Sequence, residues 1–320
     1  MNTAADAIKL SIIVCTYNRG DSLRKTLQSI SASQFTSELA WELLVVDNRS
    51  TDHTRDVCRA FSETLPIKYL YEPQQGKSYA LNHGIAAAHG DLVAFTDDDV
   101  DVDPYWLSEL CAGAERTHQA DFWGGPVYPK WEVPPPAWLA EHSLGMLGSI
   151  SVHYERAPGA DRICEDDVLF VGANLMVRKK VFEQNFRFRE DIGPNAQNAS
   201  RQEDTLFVES LLQAGYEGYY IPKAKVYHRN SKERMTERYL RLWNIGAGIS
   251  AVRLGQVITS KHMWWRAPRY LWRNLLTSCV RYVLGRWTQP SQIWLRDEIN
   301  MATTWGMISE FRRQNGNNKK

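Results

Sequence analysis

The chain has 320 residues, 43% hydrophobic and 23% charged, the make-up of a globular protein with room for a substantial core and more than one domain. Its formal net charge of +1 excludes a whole-chain electrostatic pull toward nucleic acid, so no nucleic-acid partner is expected. Five scattered cysteines with no CxxC pair argue against a zinc site or a disulfide framework and favour a reducing, cytoplasmic compartment.

Met1 to Lys9 is short and carries Asp6, so it does not read as a secretory signal. No run of about 18 uncharged apolar residues predicts a spanning helix.

Leu10 to Cys15 is apolar and β-branched and predicts a first strand. Leu23, Leu27 and Ile30 then recur at helical spacing, with Asp21 or Ser22 as the expected cap. Leu43 to Val46 predicts a second strand ending at Asp47, and Ser50, Thr51 and Asp52 offer caps for a helix carrying Val57 and Phe61. Ile67 to Tyr71 is a third strand, Ser78 to Ala88 a helix of small residues, and Leu92 to Thr96 a fourth strand. Asp103-Pro104 opens a further helix with Trp106, Leu107 and Leu110 on its apolar face. Strand–helix alternation with short connections implies right-handed crossovers and a parallel sheet, and continuously apolar strands fit a sheet covered on both faces.

The middle is less regular. Phe122 to Tyr128 predicts a strand, and Pro134-Pro135-Pro136 an extended loop wall. Val168 to Val171 leads into Gly172-Ala173-Asn174 and a second apolar stretch, Leu175 to Val177. Residues 188–201 read as a loop that, with the Trp123 to Cys164 stretch, shapes specificity. Leu206, Phe207, Leu211 and Leu212 form a helix that stops at Gly215, and short strands at Tyr219 to Ile221 and Lys225 to Tyr227 precede His228.

The chemistry gathers at strand ends. Thr16-Tyr17-Asn18-Arg19 follows strand one, Asp47 ends strand two, and Asp97-Asp98-Asp99 ends strand four. Open α/β sheets bind ligands at this edge. Three adjacent carboxylates repel one another; a divalent cation holding a phosphate would offset them, and a solvated turn is the plainer alternative. No GxGxxG or GxxxxGK[ST] follows the first strand, which disfavours a dinucleotide enzyme or a P-loop NTPase.

Ser11 to Arg19 (SIIVCTYNR), Leu44 to Asp52 (LVVDNRSTD), Asp97-Asp98-Asp99, Gly172-Ala173-Asn174, Glu203-Asp204 and His228, in this order and rough spacing, resemble the family 2 glycosyltransferases. The resemblance covers roughly residues 9 to 230. It implies a GT-A-like α/β nucleotide-binding sandwich with a mostly parallel central sheet, and inverting transfer from a nucleotide sugar, a UDP-sugar foremost, to a glycan or lipid-linked acceptor. It also implies roles. Thr16, Tyr17, Asn18, Arg19 and Asp47 would hold the base and ribose, and Asp97 would face the nucleoside. Asp99 and His228 would bind Mg²⁺ or Mn²⁺, while Asp98, beside the nucleotide, would either tune that metal or simply be exposed. Gly172, Ala173, Asn174 and Glu203 would border donor sugar and acceptor, and Asp204 would be the general base. Taken singly, Glu203 and Asp204 are also ordinary first-turn acids and His228 an ordinary core or surface histidine. A sugar nucleotidyltransferase should carry a Gly-rich loop where this chain has Thr-Tyr-Asn-Arg, and a non-catalytic carbohydrate-binding protein would not need both the triplet and the Glu-Asp pair.

From about Ser231 the texture becomes helical, Trp-rich and basic, so residues 1–230 are expected to form the catalytic domain and 231–320 a helical extension. Seven of the twelve tryptophans fall from Trp243 onward, and between Lys261 and Trp287 there are six basic residues and no acidic one. Leu271, Trp272, Leu275, Leu276, Cys279, Val280 and Val283 share one helical stripe. Two readings stand equal: a helix in a membrane interface, placing the protein on the inner face of the cell membrane, or a helix packed on the catalytic domain with its arginines on the solvent face.

Overall fold

Every side chain from Leu10 to Val14 is buried, and so is every one from Leu43 to Asp47. These runs are the centre of an eight-stranded sheet in a computed structural model that describes residues 8–34, 39–140, 153–159, 161–164, 172–194 and 202–317. The expected apolar run at 168–171, residues 195–201 of the expected loop and residues 141–152 of the specificity stretch lie outside the described residues.

The first half alternates as expected: β1 (Leu10–Thr16), α1 (Gly20–Ser31), β2 (Trp41–Asp47), α2 (Thr54–Phe61), β3 (Ile67–Tyr71), α3 (Lys77–Ala87) and β4 (Leu92–Asp97). There follow β5 (Val100–Val102), α4 (Trp106–Arg116), β6 (Phe122–Gly124), β7 (Val127–Trp131), α5 (Ala137–Ala140) and β8 (Arg162–Ile163). A 3₁₀ turn, Gly172–Asn174, leads to β9 (Leu175–Arg178), α6 (Lys179–Glu183), α7 (Glu203–Gln213), β10 (Gly218–Tyr220) and β11 (Val226–Asn230). The C-terminal part holds α8 (Glu237–Arg253), the hairpin β12 (Met263–Trp264) and β13 (Ala267–Pro268), α9 (Arg269–Gly285) and α10 (Ser291–Asn317).

The sheet order is β3-β2-β1-β4-β9-β6-β10-β8, and β5-β11-β7 form a smaller sheet. β3, β2, β1 and β4 are parallel neighbours, whereas β9 runs antiparallel to both β4 and β6. This is the mixed, mostly parallel α/β class that the sequence predicts, with additional C-terminal helices.

Register positions the site. Thr16 pairs with Asp47, Cys15 with Asp97 and Asp47 with Tyr71, so the polar strand ends align on one edge. Because β9 is antiparallel to β4, its beginning comes to the same edge, with Leu175 opposite Phe95. The small residues of α3 let it approach closely: a Cβ on Gly84 would stand 2.8 Å from Ile13. Each fully buried Leu, Ile or Val contributes roughly 1.5–3 kcal/mol to this core.

Local details differ from the sequence reading. Neither Asp21 nor Ser22 caps α1. The helix begins at Gly20, whose N–H donates to Asp52 Oδ2 at 2.9 Å, while the Ser22 hydroxyl donates to the Asp98 carbonyl. The predicted strand over Phe122 to Tyr128 is two strands, β6 and β7, in different sheets. Asp103 caps a turn, its Oδ1 accepting from Tyr105 N, and α4 starts at Trp106.

The described residues divide into two compact units, bounded by Met1–Lys130, Val152–Glu190 and Glu203–Arg229 for the first, and Trp131–Ser151, Asp191–Gln202 and Asn230–Lys320 for the second. Within the second, α10 packs along α8 and α9. Glycines make the α8–α10 approach close, since a Cβ on Gly248 or Gly306 would stand 2.0 Å from a backbone carbonyl of the other helix.

Candidate active site

The acidic triplet is folded inward. Asp98 and Asp99 are buried, and Asp97 is half-buried. Two cations and an imidazole surround the triplet. The Arg19 guanidinium donates to Asp98 Oδ1 at 2.8 Å and to Asp99 Oδ2 at 3.0 Å. The Lys77 ammonium lies 2.9 Å from Asp97 Oδ1 and 3.4 Å from Glu203 Oε1. His228 Nε2 lies 3.4 Å from Asp99 Oδ1. Thr16 adds a hydrogen bond, its Oγ1 donating to Asp98 Oδ2 at 2.8 Å.

Burial pushes the Asp98 carboxyl up to about 6, against the pull of the Arg19 cation and the Thr16 hydroxyl, with Asp99 adding to the rise. Burial likewise raises Glu203, with Lys77 opposing. Burial alone would lower Lys77, but the carboxylates of Asp97, Glu203 and Asp204 hold it well above its ordinary value.

The triplet's backbone is braced from β11. Arg229 N donates to the Asp99 carbonyl at 2.8 Å. The Arg229 guanidinium bonds the Asp101 carboxylate, the Asp98 carbonyl at 3.1 Å, the Ser22 carbonyl at 2.7 Å and the Thr26 hydroxyl at 3.0 Å. Antiparallel pairing sets His228 opposite Val100, which brings its ring to Asp99.

Among the described residues, Asp97, Asp99 and His228 offer ligand atoms that all lie within 4.8 Å of one another. Two hard carboxylate oxygens and an imidazole nitrogen suit Mg²⁺ or Mn²⁺. The sequence reading set Asp97 apart for the nucleoside; the fold brings it together with Asp99 and His228.

The remaining candidates fall in two groups. Asn18, in left-handed backbone at φ 51°, ties its loop to the one after β2: its Oδ1 accepts from Thr51 N at 2.7 Å, and Ser50 Oγ accepts from its N–H at 2.8 Å. Tyr17 is exposed beside it. Asp47 is buried, Oδ1 accepting from Ser50 N at 2.7 Å and Oδ2 from the Tyr69 hydroxyl at 2.6 Å. On the other side, Thr96 Oγ1 donates to the Ala173 carbonyl, joining the Gly172–Asn174 turn to β4. Asn174 is fully buried, accepting from Trp106 Nε1 and donating to the carbonyls of Pro126 and Ala224. Ala173 is buried as well, so of the three only Gly172 is partly open. Gly172 N donates to Asp204 Oδ2 at 2.7 Å, and Thr205 N to Asp204 Oδ1 at 2.9 Å. These two bonds orient the Asp204 carboxylate at the start of α7. A Cβ at residue 172 would stand 3.2 Å from the Asp204 Cβ, a tight contact that glycine avoids.

Sequence reasoning overlooked Lys77, Asn48 and Arg229. Asn48 accepts from Gly76 N at 2.7 Å and donates to the Gln74 carbonyl at 2.6 Å, which pins the loop that delivers Lys77. A signal for Lys77 was available: a lysine in the first turn of a helix is set against the helix dipole, so a carboxylate partner should be sought. Arg229 had the weaker signal of adjacency to His228.

The profile of glycosyl transferase family 2 matches residues 11–186, more than half of the chain. A glucosyl-dolichyl phosphate glucuronosyltransferase of Haloferax volcanii is 26% identical over 226 residues, covering 69% of this chain and 69% of that protein. Two other relatives, 35% and 37% identical, align over 103 and 105 residues, and the chain spans only 29% and 32% of their lengths. Among solved structures, the mannosyltransferase PcManGT of Pyrobaculum calidifontis, in complex with GDP-Man and Mn²⁺, superposes with a TM-score of 0.59 at 15% identity, over 92% of this chain and 85% of that one. S. aureus TarS 1–349 in complex with UDP-GlcNAc superposes with a TM-score of 0.56 at 16% identity, over 96% and 92%. At these identities the likeness to the two structures is one of fold.

Proposed function

The chain belongs to glycosyl transferase family 2, and from that premise we propose that it is an inverting glycosyltransferase. It moves a sugar from a nucleoside-diphosphate donor, a UDP-sugar foremost, to a hydroxyl of a glycan or lipid-linked acceptor. The observation that carries this reading is the Asp97, Asp99 and His228 cluster on the sheet edge, in the same unit as the oriented Asp204.

Each group has a task under this reading. Thr16 to Arg19, Asp47 and Asn48 shape the nucleoside end of the site. Asp97, Asp99 and His228 would hold Mg²⁺ or Mn²⁺, which when bound supplies Lewis-acid stabilisation of the departing diphosphate. Asp204 accepts the proton of the acceptor hydroxyl as that oxygen attacks the anomeric carbon, with Gly172 N–H and Thr205 N–H keeping its oxygens aimed. A single base and a single displacement invert the anomeric centre. Lys77 holds Glu203 and Asp97 against mutual repulsion.

UDP-GlcNAc and GDP-Man are the donors in the two similar structures, which makes the base an experimental question. Calorimetric titration with UDP, GDP, CDP and dTDP, each with and without Mn²⁺, tests the reading. One diphosphate should bind at least about tenfold more tightly with Mn²⁺ present. Absence of binding by all four would overturn it.

A further inference from the structure

The second unit exposes apolar side chains that its own packing does not use. The predicted stripe of α9 is split. Leu271 is buried with Ala267, Ile308 and Phe311, and Trp272 and Leu275 pack against that cluster. Leu276, Val280, Val283 and Leu284 are instead 67, 50, 63 and 67% exposed, and Trp287, just past the helix, is 89% exposed. The spacing of the four helical residues puts them on one side of α9. A helix of α9's length is about 25 Å long, so the ridge is extended.

The ridge continues into the preceding hairpin. Trp272, one turn before Leu276, meets Trp264 and Trp265 edge-on at 5.8 and 5.4 Å, and those two indoles stack at 4.6 Å. The hairpin turn is Trp265-Arg266, at φ 45° and 66°. Both positions of such a turn favour Asn, Asp or Gly. Trp and Arg are strained there, yet the turn presents the Trp265 indole at the tip, 63% exposed.

Charge accompanies the ridge. Arg266, Arg269, Arg273 and Arg281 are exposed, and no acidic residue occurs between Lys261 and Trp287. Arg269 and Arg273 share the helix face of Leu276 and Val280 by their spacing. Arg286, by contrast, is taken up by Glu237 at 2.6 Å and by the Trp294 ring. Beside the ridge a cleft of about 380 Å³ is lined by Arg281, Leu284, Gln289, Ile293, Arg296 and Asp297.

We propose that α9 and the β12–β13 hairpin form a docking surface for an anionic lipid bilayer. Tryptophans and aliphatic side chains enter the headgroup boundary, and the arginines meet lipid phosphates. Charge complementarity favours a bilayer over a second copy of this chain, because two such ridges face to face would set their arginines against each other. The inference does not rest on the proposed transfer reaction.

The test is co-sedimentation of the full chain with vesicles of phosphatidylcholine alone and of phosphatidylcholine with phosphatidylglycerol. The chain should bind the anionic vesicles with a blue shift of tryptophan emission, and at least about tenfold more weakly at 0.5 M than at 0.1 M salt. The double variant Leu276→Glu/Val280→Glu should lose binding, and Arg269→Gln/Arg273→Gln should weaken it about tenfold. The four positions are exposed or carry no packing, and circular dichroism checks that each variant folds. No binding by the parent chain, or equal binding by folded Leu276→Glu/Val280→Glu, would overturn the proposal. A parent dimer that this variant dissolves, with no vesicle binding, would assign the ridge to contact between copies and overturn it too.

Discussion

Lys77 and Asp97 stand 2.9 Å apart at facing ends of α3 and β4, and the same ammonium reaches Glu203 at the start of α7. One cation thus links three separate segments. Asn48 makes this possible by pinning the Gly76 N–H that precedes the lysine.

Lys77→Met removes that link and leaves a buried Glu203 beside Asp97. Breaking a buried ion pair on one side costs about 3 kcal/mol. Urea unfolding should show a loss of that order. Adding Glu203→Gln should recover part of it, and Mn²⁺ should reduce it by restoring positive charge at Asp97. A variant as stable as the parent would mean that the pair carries no net stabilisation.

Asp204→Asn keeps an oxygen for one of the two backbone N–H groups and loses the basic carboxylate. Transfer should fall by roughly 100- to 10,000-fold. Nucleotide affinity, measured by calorimetry, should stay within about twofold. Retention of most of the transfer rate would exclude Asp204 as the base.

Asp99→Asn and His228→Ala act on the same candidate metal group. Each should weaken Mn²⁺ binding, read by electron paramagnetic resonance, by at least about tenfold. Nucleotide affinity without metal should change much less. Unaltered Mn²⁺ titrations would detach these residues from the metal.

Glu310 gives a pH dependence away from the site. Burial would raise its carboxyl, but hydrogen bonds from Arg313 and Arg253 and their charges bring it from 4.5 down to about 2. A depressed carboxyl stabilises the folded state fully above its unfolded value. That stabilisation should be lost as pH falls from about 4.5 through 2, and it is smaller than the full shift would imply because the Arg313 side chain is 56% exposed and screened by solvent. Denaturant midpoints across this range should fall steeply for the parent chain. The slope should be flatter for Glu310→Gln, which should also be the less stable protein at pH 7.

Much of the architecture was legible in order and spacing. Apolar runs of strand length, helical periodicity and polar strand ends are local signals, and the sheet follows from them by the rules of parallel crossovers. The motifs also named Asp97, Asp99 and His228, which the fold brings within 4.8 Å of one another. The cap at Asp21 or Ser22 was misread because Ser22 is used by the Asp98 carbonyl, a partner 76 residues away.

What the sequence by itself determined is therefore the α/β alternation, the acidic strand end and the family of motifs. Only the tertiary structure decided that Arg19 would pair with Asp98 and Asp99, that Lys77 would meet Asp97, and that Arg229 would brace the triplet. It also decided which part of the α9 stripe is buried and which faces solvent. The physical reason is common to all of these. Periodicity reports which side chains share a face, but charge pairing and burial depend on which distant segment comes to cover that face.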